Sequence, residues 1–206
     1  MPATRQTFVP AQRLPGWLER FAAGNGGVAV TPEHGGLHLA AGNGTEAQLL
    51  APWPDDGRPG RGADDVERLV SLAGQSRTVG IVLLRRGGFA VGVARDGALL
   101  PSQAGSTSVR SRGSAGGSPQ RRANQTETLV EAAAGAAARL FAEHPAEYLV
   151  FGGDRALTGL FVQQLAFARW SNLSRLRPLA VQDPKPAALA QAAKDACSVL
   201  IRITVP

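Results

Sequence analysis

Three features of the chain predict an α/β (α+β) fold: a mixed, largely antiparallel sheet with packed helices. Apolar runs of strand length, joined by short turns, fill residues 78–103. The hydrophobic period then changes from about two to about 3.6 near residue 127. Beyond that point helical and strand patterns alternate to the last residue. A length of 206 residues suffices for one substantial domain, and no break in composition calls for two. Residues 1–206 are therefore read as a single domain.

The first predicted element is a helix from Pro10 to Ala23, where Leu14, Trp17, Leu18 and Phe21 recur at helical spacing. Gly24-Asn-Gly-Gly27 ends it. Short strands are expected near Val28 to Val30, Leu37 to Ala40 and Gln48 to Ala51. Residues 52–62, rich in Pro, Gly and Asp, read as a surface loop. Asp64 or Asp65 is placed to cap a short helix through Leu72.

The strongest sheet signal runs from Thr78 to Leu84, an almost unbroken apolar stretch suited to a strand buried on both faces. Arg86-Gly87-Gly88 is a hairpin turn, Phe89 to Ala94 the returning strand, and Asp96-Gly97 a second turn. A third strand begins over Ala98 to Gln103; a continuation through Ser106 to Arg112 would deliver the chain to a basic stretch. Leu129, Val130, Ala133, Ala137, Leu140 and Phe141 then share one face of a long helix, which His144-Pro145 closes. A strand is predicted from Tyr148 to Phe151, a turn with Asp154 as N-cap, and a helix from Ala156 to Phe167. A last helix, Ala187 to Ala196, precedes a closing strand over Val199 to Val205.

The formal net charge of +6 points toward nucleic acid or another polyanion. Lysine occurs only at Lys185 and Lys194, so nearly all the positive charge is arginine. Arginine suits phosphate contact, although the Ala, Gly and Arg bias also fits a GC-rich genome. Cys197 is the only cysteine, which excludes an intrachain disulfide or a cysteine-built metal site. Beside Val199 and Ile201 it reads as a buried small hydrophobe. No apolar core follows a basic start, and no run reaches membrane-spanning length. A cytoplasmic protein without a membrane partner is expected.

The charge is concentrated in residues 110–122. Arg110, Arg112, Arg121 and Arg122 bracket a Gly- and Ser-rich stretch, and Gln120 follows the pair Gly116-Gly117. No Asp or Glu stands between Asp96 and Glu127, so the positive field is unopposed along the chain. Paired glycines let backbone approach a bulky partner, and guanidinium forks bind phosphate bidentately. Such a segment fits a finger pushed into RNA; its composition fits a solvated linker equally well.

Other constellations favour bland readings. His34, His38 and His144 lack metal-ligand spacing, and Gly35-Gly36 argues against a helix that would align the first two. No metal or cofactor is expected. No Gly-x-Ser-x-Gly elbow supports a nucleophilic serine. Gly152-Gly153-Asp154 after a strand lacks the remaining residues of a phosphate loop and reads as a tight turn with a cap. Asp55-Asp56 and Asp64-Asp65 are acidic pairs of a polar surface.

The run Ala115-Gly116-Gly117-Ser118-Pro119-Gln120-Arg121, followed by Arg122-Ala123-Asn124-Gln125, resembles the actinobacterial branch of the Vms-like release factor family. Members typically read Ala-Gly-Gly-x-Ser-Gln-Gln-Arg, then further arginines, then Asn-Gln. Leu14 to Phe21, Val79 to Asp96 and Val150 to Arg155 are similar as well, so the resemblance spans nearly the whole chain. It implies a sheet and helices related to the ribonuclease H shape, as in the middle domain of the eukaryotic class I release factor. It also implies peptidyl-tRNA hydrolysis in the rescue of stalled ribosomes, with the large subunit, its rRNA and peptidyl-tRNA as partners. Gln120 would be the catalytic glutamine and Gly116 and Gly117 its flexible support. The chain departs from the pattern where Ser118-Pro119 replaces a longer Ser-Gln run, and fewer arginines follow.

An amide does not titrate near neutrality, so Gln120 would orient water and stabilise developing charge, not act as a base. Arg110, Arg112, Arg121 and Arg122 would neutralise RNA phosphates. Two alternatives share these residues: cleavage of tRNA near its 3′ end, and non-catalytic occupation of the tRNA site on the ribosome. The oligomeric state is not legible in the chain.

Overall fold

The computed structural model describes residues 3–106 and 119–206. Its chain divides into two compact units, Met1–Ser76 with Lys194–Pro206, and Arg77–Ala193. Composition carries no trace of this division, because both units are built from the same mix of apolar strands and amphipathic helices. Each holds its own five-stranded sheet.

In the first unit the chain opens with β1 (Ala3–Val9), which sequence pattern missed: six of its seven residues are exposed or half-buried. A 3-10 turn leads into α1 (Leu14–Gly24), whose Leu14, Leu18 and Phe21 face the core. Three strands follow, β2 (Val28–Glu33), β3 (Gly36–Ala41) and β4 (Glu46–Leu50). After the predicted loop comes α2 (Asp65–Ala73), where the Asp64 carboxylate accepts the Glu67 N–H at 2.8 Å. The wholly antiparallel sheet runs in the order β1, β10 (Val199–Val205), β4, β3, β2. One face alternates inward through Leu37, Leu39, Ala47, Leu49, Ile201 and Ile203, and packs on the apolar stripes of α1 and α2.

The second unit begins with β5 (Thr78–Arg85), β6 (Gly88–Arg95) and β7 (Ala98–Ser106), an antiparallel meander. Between β6 and β7, Asp96 and Gly97 have φ of 54° and 74°, the backbone that an Asp-Gly hairpin turn requires. The long helix α3 (Pro119–Glu143) crosses back over the sheet, so that β8 (Tyr148–Gly153) lies parallel to β5. The short β9 (Ser174–Arg175) extends the sheet in parallel beside β8, giving the order β7, β6, β5, β8, β9.

Leu129, Val130, Ala133, Ala137 and Phe141 of α3 are buried against Val82, Leu84, Val91 and Val93, as their spacing predicts. Ala134 and Ala136 join them, since small side chains let a helix sit close to a sheet. The helix predicted over Ala156 to Phe167 is instead two pieces. α4 (Arg155–Val162) stops at Gln163, and a 3-10 segment, Leu165–Trp170, follows. The break turns Phe161 and Phe167 toward each other, with ring centroids 4.5 Å apart, inside a cluster with Phe141, Phe151 and Trp170. That aromatic packing outweighs helix propensity across residues 163–164. α5 (Pro186–Ala196) leads to β10. Cys197 is half-buried. Among the described residues, no helix is long and apolar enough to cross a membrane.

Candidate functional site

The parallel pair β5 and β8 gives the second unit a distinct end. Leu84 is level with Gly153, and the Asp154 N–H donates to the Leu84 carbonyl at 2.8 Å. Gly153 has φ of 97°, and a Cβ there would run into the Leu84 carbonyl oxygen, so only glycine fits. Ligands of α/β sheets commonly sit beyond the carboxyl ends of such strands. The Asp154 carboxylate caps α4, accepting the N–H groups of Ala156 and Leu157 at 2.8 and 3.3 Å. An acidic side chain thus occupies the donors that a phosphate loop would need, which leaves Gly152-Gly153-Asp154 as turn and cap.

The described residues on either side of the basic segment stand at this same end. Ser106, the last residue of β7, pairs with Gly88, the first of β6. Ala123, Gln125 and Thr126 of α3 line a cleft of about 850 Å³ together with Arg86 and Gly87. Leu129, Val130, Leu157 and Leu160 supply its apolar floor. A second cleft of about 600 Å³ lies on the other flank of Arg86 and Gly87, bounded by Ser106, Gln182 and Lys185.

Gln120 is exposed in the first turn of α3, and its Nε2 donates to Asn124 Oδ1 at 3.4 Å. Sequence pattern makes residues 110–122 a loop; in the structure α3 begins at Pro119, so Gln120, Arg121 and Arg122 belong to the helix. The physical reason is Pro119: proline lacks an N–H and has φ preset for helix, which suits the first helical position. Residues 120–128 carry no apolar stripe, so periodicity could not reveal this start. Arg121 is exposed. Arg110, Arg112, Gly116 and Gly117, and any continuation of β7 to Arg112, lie outside the described residues.

Among the described residues, no three His, Cys, Asp or Glu side chains come together as a metal site. His38 is on β3, where its Nε2 lies 3.7 Å from a Glu46 carboxylate oxygen. The residue that sequence reasoning passed over is Arg86, read only as part of a hairpin turn. Its signal was an arginine pair at the end of an almost wholly apolar strand, of which Arg85 is half-buried and Arg86 exposed.

The chain is similar to several known proteins. A comparison with curated proteins gives no match. Among solved structures, an archaeal protein aligns with a TM-score of 0.38 at 13% identity, over 92% of this chain and 63% of that one. Pelota from Archaeoglobus fulgidus aligns with a TM-score of 0.36 at 10% identity, over 94% of this chain and 61% of its own. The chain thus spans about three fifths of the length of either. The model of the Actinobacteria/chloroflexi VLRF1 release factor family matches residues 77–202, the whole of the second unit and the first residues of β10. With more than half of its residues matched, the chain belongs to the Actinobacteria/chloroflexi VLRF1 release factor family.

Proposed function

We propose that this protein acts on stalled ribosomes as a peptidyl-tRNA hydrolase, with Gln120 orienting the attacking water. The observation that carries this reading is membership in a release factor family over a stretch that includes Gln120 and the basic segment. The position of Gln120 supports it: an exposed amide at the start of a 25-residue helix whose middle is buried against a sheet. A rigid helix holds such a group more closely than a free loop would.

In the reaction, water attacks the carbonyl carbon of the ester linking peptide to the tRNA 3′ end. The bond from that carbon to the ribose oxygen breaks, and the products are a peptide acid and a tRNA with a free terminal hydroxyl. Gln120 cannot take the proton; its amide accepts from or donates to the water and so fixes its approach. Arg121, with Arg110, Arg112 and Arg122, holds RNA phosphates and keeps the glutamine near the ester. The large subunit with its rRNA would complete the site.

The test is incubation with stalled ribosomes carrying peptidyl-tRNA labelled in both parts. Released peptide with an intact tRNA 3′ terminus is the expected result. A shortened tRNA would assign nuclease activity instead, and binding with neither product would assign a non-catalytic role.

A further inference from the structure

The Arg86 turn stands beside the described residues that flank the basic segment, Ser106 on one side and Ala123 on the other. Arg86 is exposed, and among the described residues its side chain has no hydrogen bond or ion pair. It forms the wall between the two clefts, with Gly87 beside it. On the polar side, Arg85 is half-buried and held by its Nε, which donates to the Val181 carbonyl at 2.9 Å. That single bond fixes the guanidinium while leaving its terminal nitrogens as donors. Lys185 lies across the same cleft, exposed, 2.8 Å from Asp183. The hydrogen bond and charge of Asp183 raise the lysine's pKa, so its ammonium stays protonated throughout the physiological range.

Three cations against one carboxylate line this cleft, and the Gln182 amide adds a neutral donor. A solvated hairpin tip needs one charge to stay soluble. Two adjacent arginines facing a lysine across a concave surface are suited to an anion with several acceptor oxygens. Ser106, the last described residue before the basic segment, is among the residues that line the cleft.

We propose that Arg85, Arg86 and Lys185 form a second phosphate-binding site, which grips the backbone of RNA at the base of the basic segment. The inference rests on the reading of the protein as an RNA-directed factor and deepens it by naming a contact outside residues 110–122. The RNA phosphates could come from the tRNA acceptor arm or from ribosomal RNA, and the chemistry of recognition is the same for both. Arg86 would contact phosphate and not the ester, so its loss should affect affinity more than the chemical step.

The experiment measures binding of the full chain to deacylated tRNA and, separately, to vacant large ribosomal subunits across a salt series. Wild type is compared with Arg86→Ala, Arg86→Glu and the Arg86→Ala/Lys185→Ala pair. Each phosphate contact contributes roughly 0.9 to the slope of log affinity against log salt on a duplex. The single alanine variant should therefore flatten the slope by about one, and the pair by about two. Arg86→Glu should weaken binding further, because it repels phosphate. A change with tRNA alone assigns the acceptor arm, and a change with subunits alone assigns rRNA; either supports the site. An unchanged slope with both RNAs, in variants that release peptide like wild type, overturns the site and leaves the proposed function standing. Wild type that neither binds RNA nor releases peptide overturns the proposed function, and the site with it. Matching thermal midpoints establish that the exposed substitutions leave the fold intact.

Discussion

Arg139 of α3 donates through Nη2 to Gln103 Oε1 of β7 at 3.2 Å, joining the two elements between which the basic segment is strung. Both side chains are exposed. A hydrogen bond at a wet surface exchanges one set of partners for another and yields little net stability. Gln103→Ala should change the unfolding free energy by less than about 0.5 kcal/mol, as surface substitutions commonly do. Urea denaturation reads this directly. Peptide release should also stay near wild type, which makes Gln103→Ala the control for glutamine loss nearby. A loss above about 1.5 kcal/mol would mean that the contact braces α3 against the sheet.

Gln120→Ala should reduce peptide release by about a hundredfold or more and leave ribosome binding nearly intact. Losing a positioned hydrogen-bonding group costs the transition state, whereas ground-state affinity comes from the arginines. Alanine is also a better helix former, so the start of α3 is not weakened. The measurement is single-turnover release at saturating protein. Release at the wild-type rate would remove Gln120 from the mechanism and point to the altered Ser118-Pro119 run as a displaced site.

Replacing Arg121 and Arg122 together by alanine should weaken ribosome binding and flatten its salt dependence by roughly two in the logarithmic slope. The effect should be uniform across RNA sequences, because phosphate contacts carry no base information. A salt titration of binding settles it. An unchanged slope would place the RNA contact on other residues.

Strands and helices with one-sided burial were legible because their periodicity is a record of that burial. The buried face of α3 and the closing strand follow from it, whereas the meander from Thr78 was legible as unbroken apolar runs bounded by turn residues. β1 was not legible: its side chains are mostly exposed, and it is a strand because β10 offers an unpaired edge. The division into two units was hidden too, since β10 returns to the first sheet after more than a hundred residues of the second unit. At the candidate site, arginines and glutamine were visible as residue types. That Arg86 would stand beside the N-terminal part of α3 was not, because it depends on how β5, β8 and α3 come together.

Asp154→Ala should destabilise the second unit by about 0.5–2 kcal/mol, the usual cost of losing an N-cap. The two amide donors of α4 then have only water. Asp154→Asn should recover most of the loss, since its carbonyl oxygen can accept the same bonds. Equal losses for both variants, measured by urea denaturation, would show that charge and not capping is what α4 requires.

Gly80 tests how closely α3 is seated on the sheet. It lies within β5 with every neighbour buried, and strand glycine ordinarily costs stability relative to residues with side chains. Its reason is packing: a Cβ at position 80 would come within 2.7 Å of Phe141 Cζ and 3.0 Å of Leu149 Cδ2. Phe141 is itself held from the other side by the rings of Phe167 and Trp170, at 6.2 and 6.1 Å between centroids, so it has little room to yield. Gly80→Ala should therefore destabilise by about 1–3 kcal/mol through overpacking, even though alanine narrows the unfolded ensemble and returns a few tenths of that. Phe141→Leu removes the offending ring edge at its own cost in lost packing. In that background Gly80→Ala should become nearly neutral, giving a coupling of at least about 0.5 kcal/mol across the double-mutant cycle. Four urea melts supply the cycle, with Trp170 fluorescence reporting on the ring cluster. If the alanine costs the same with and without the phenyl ring, the ring is not the obstacle, and Leu149 or the strand backbone must be.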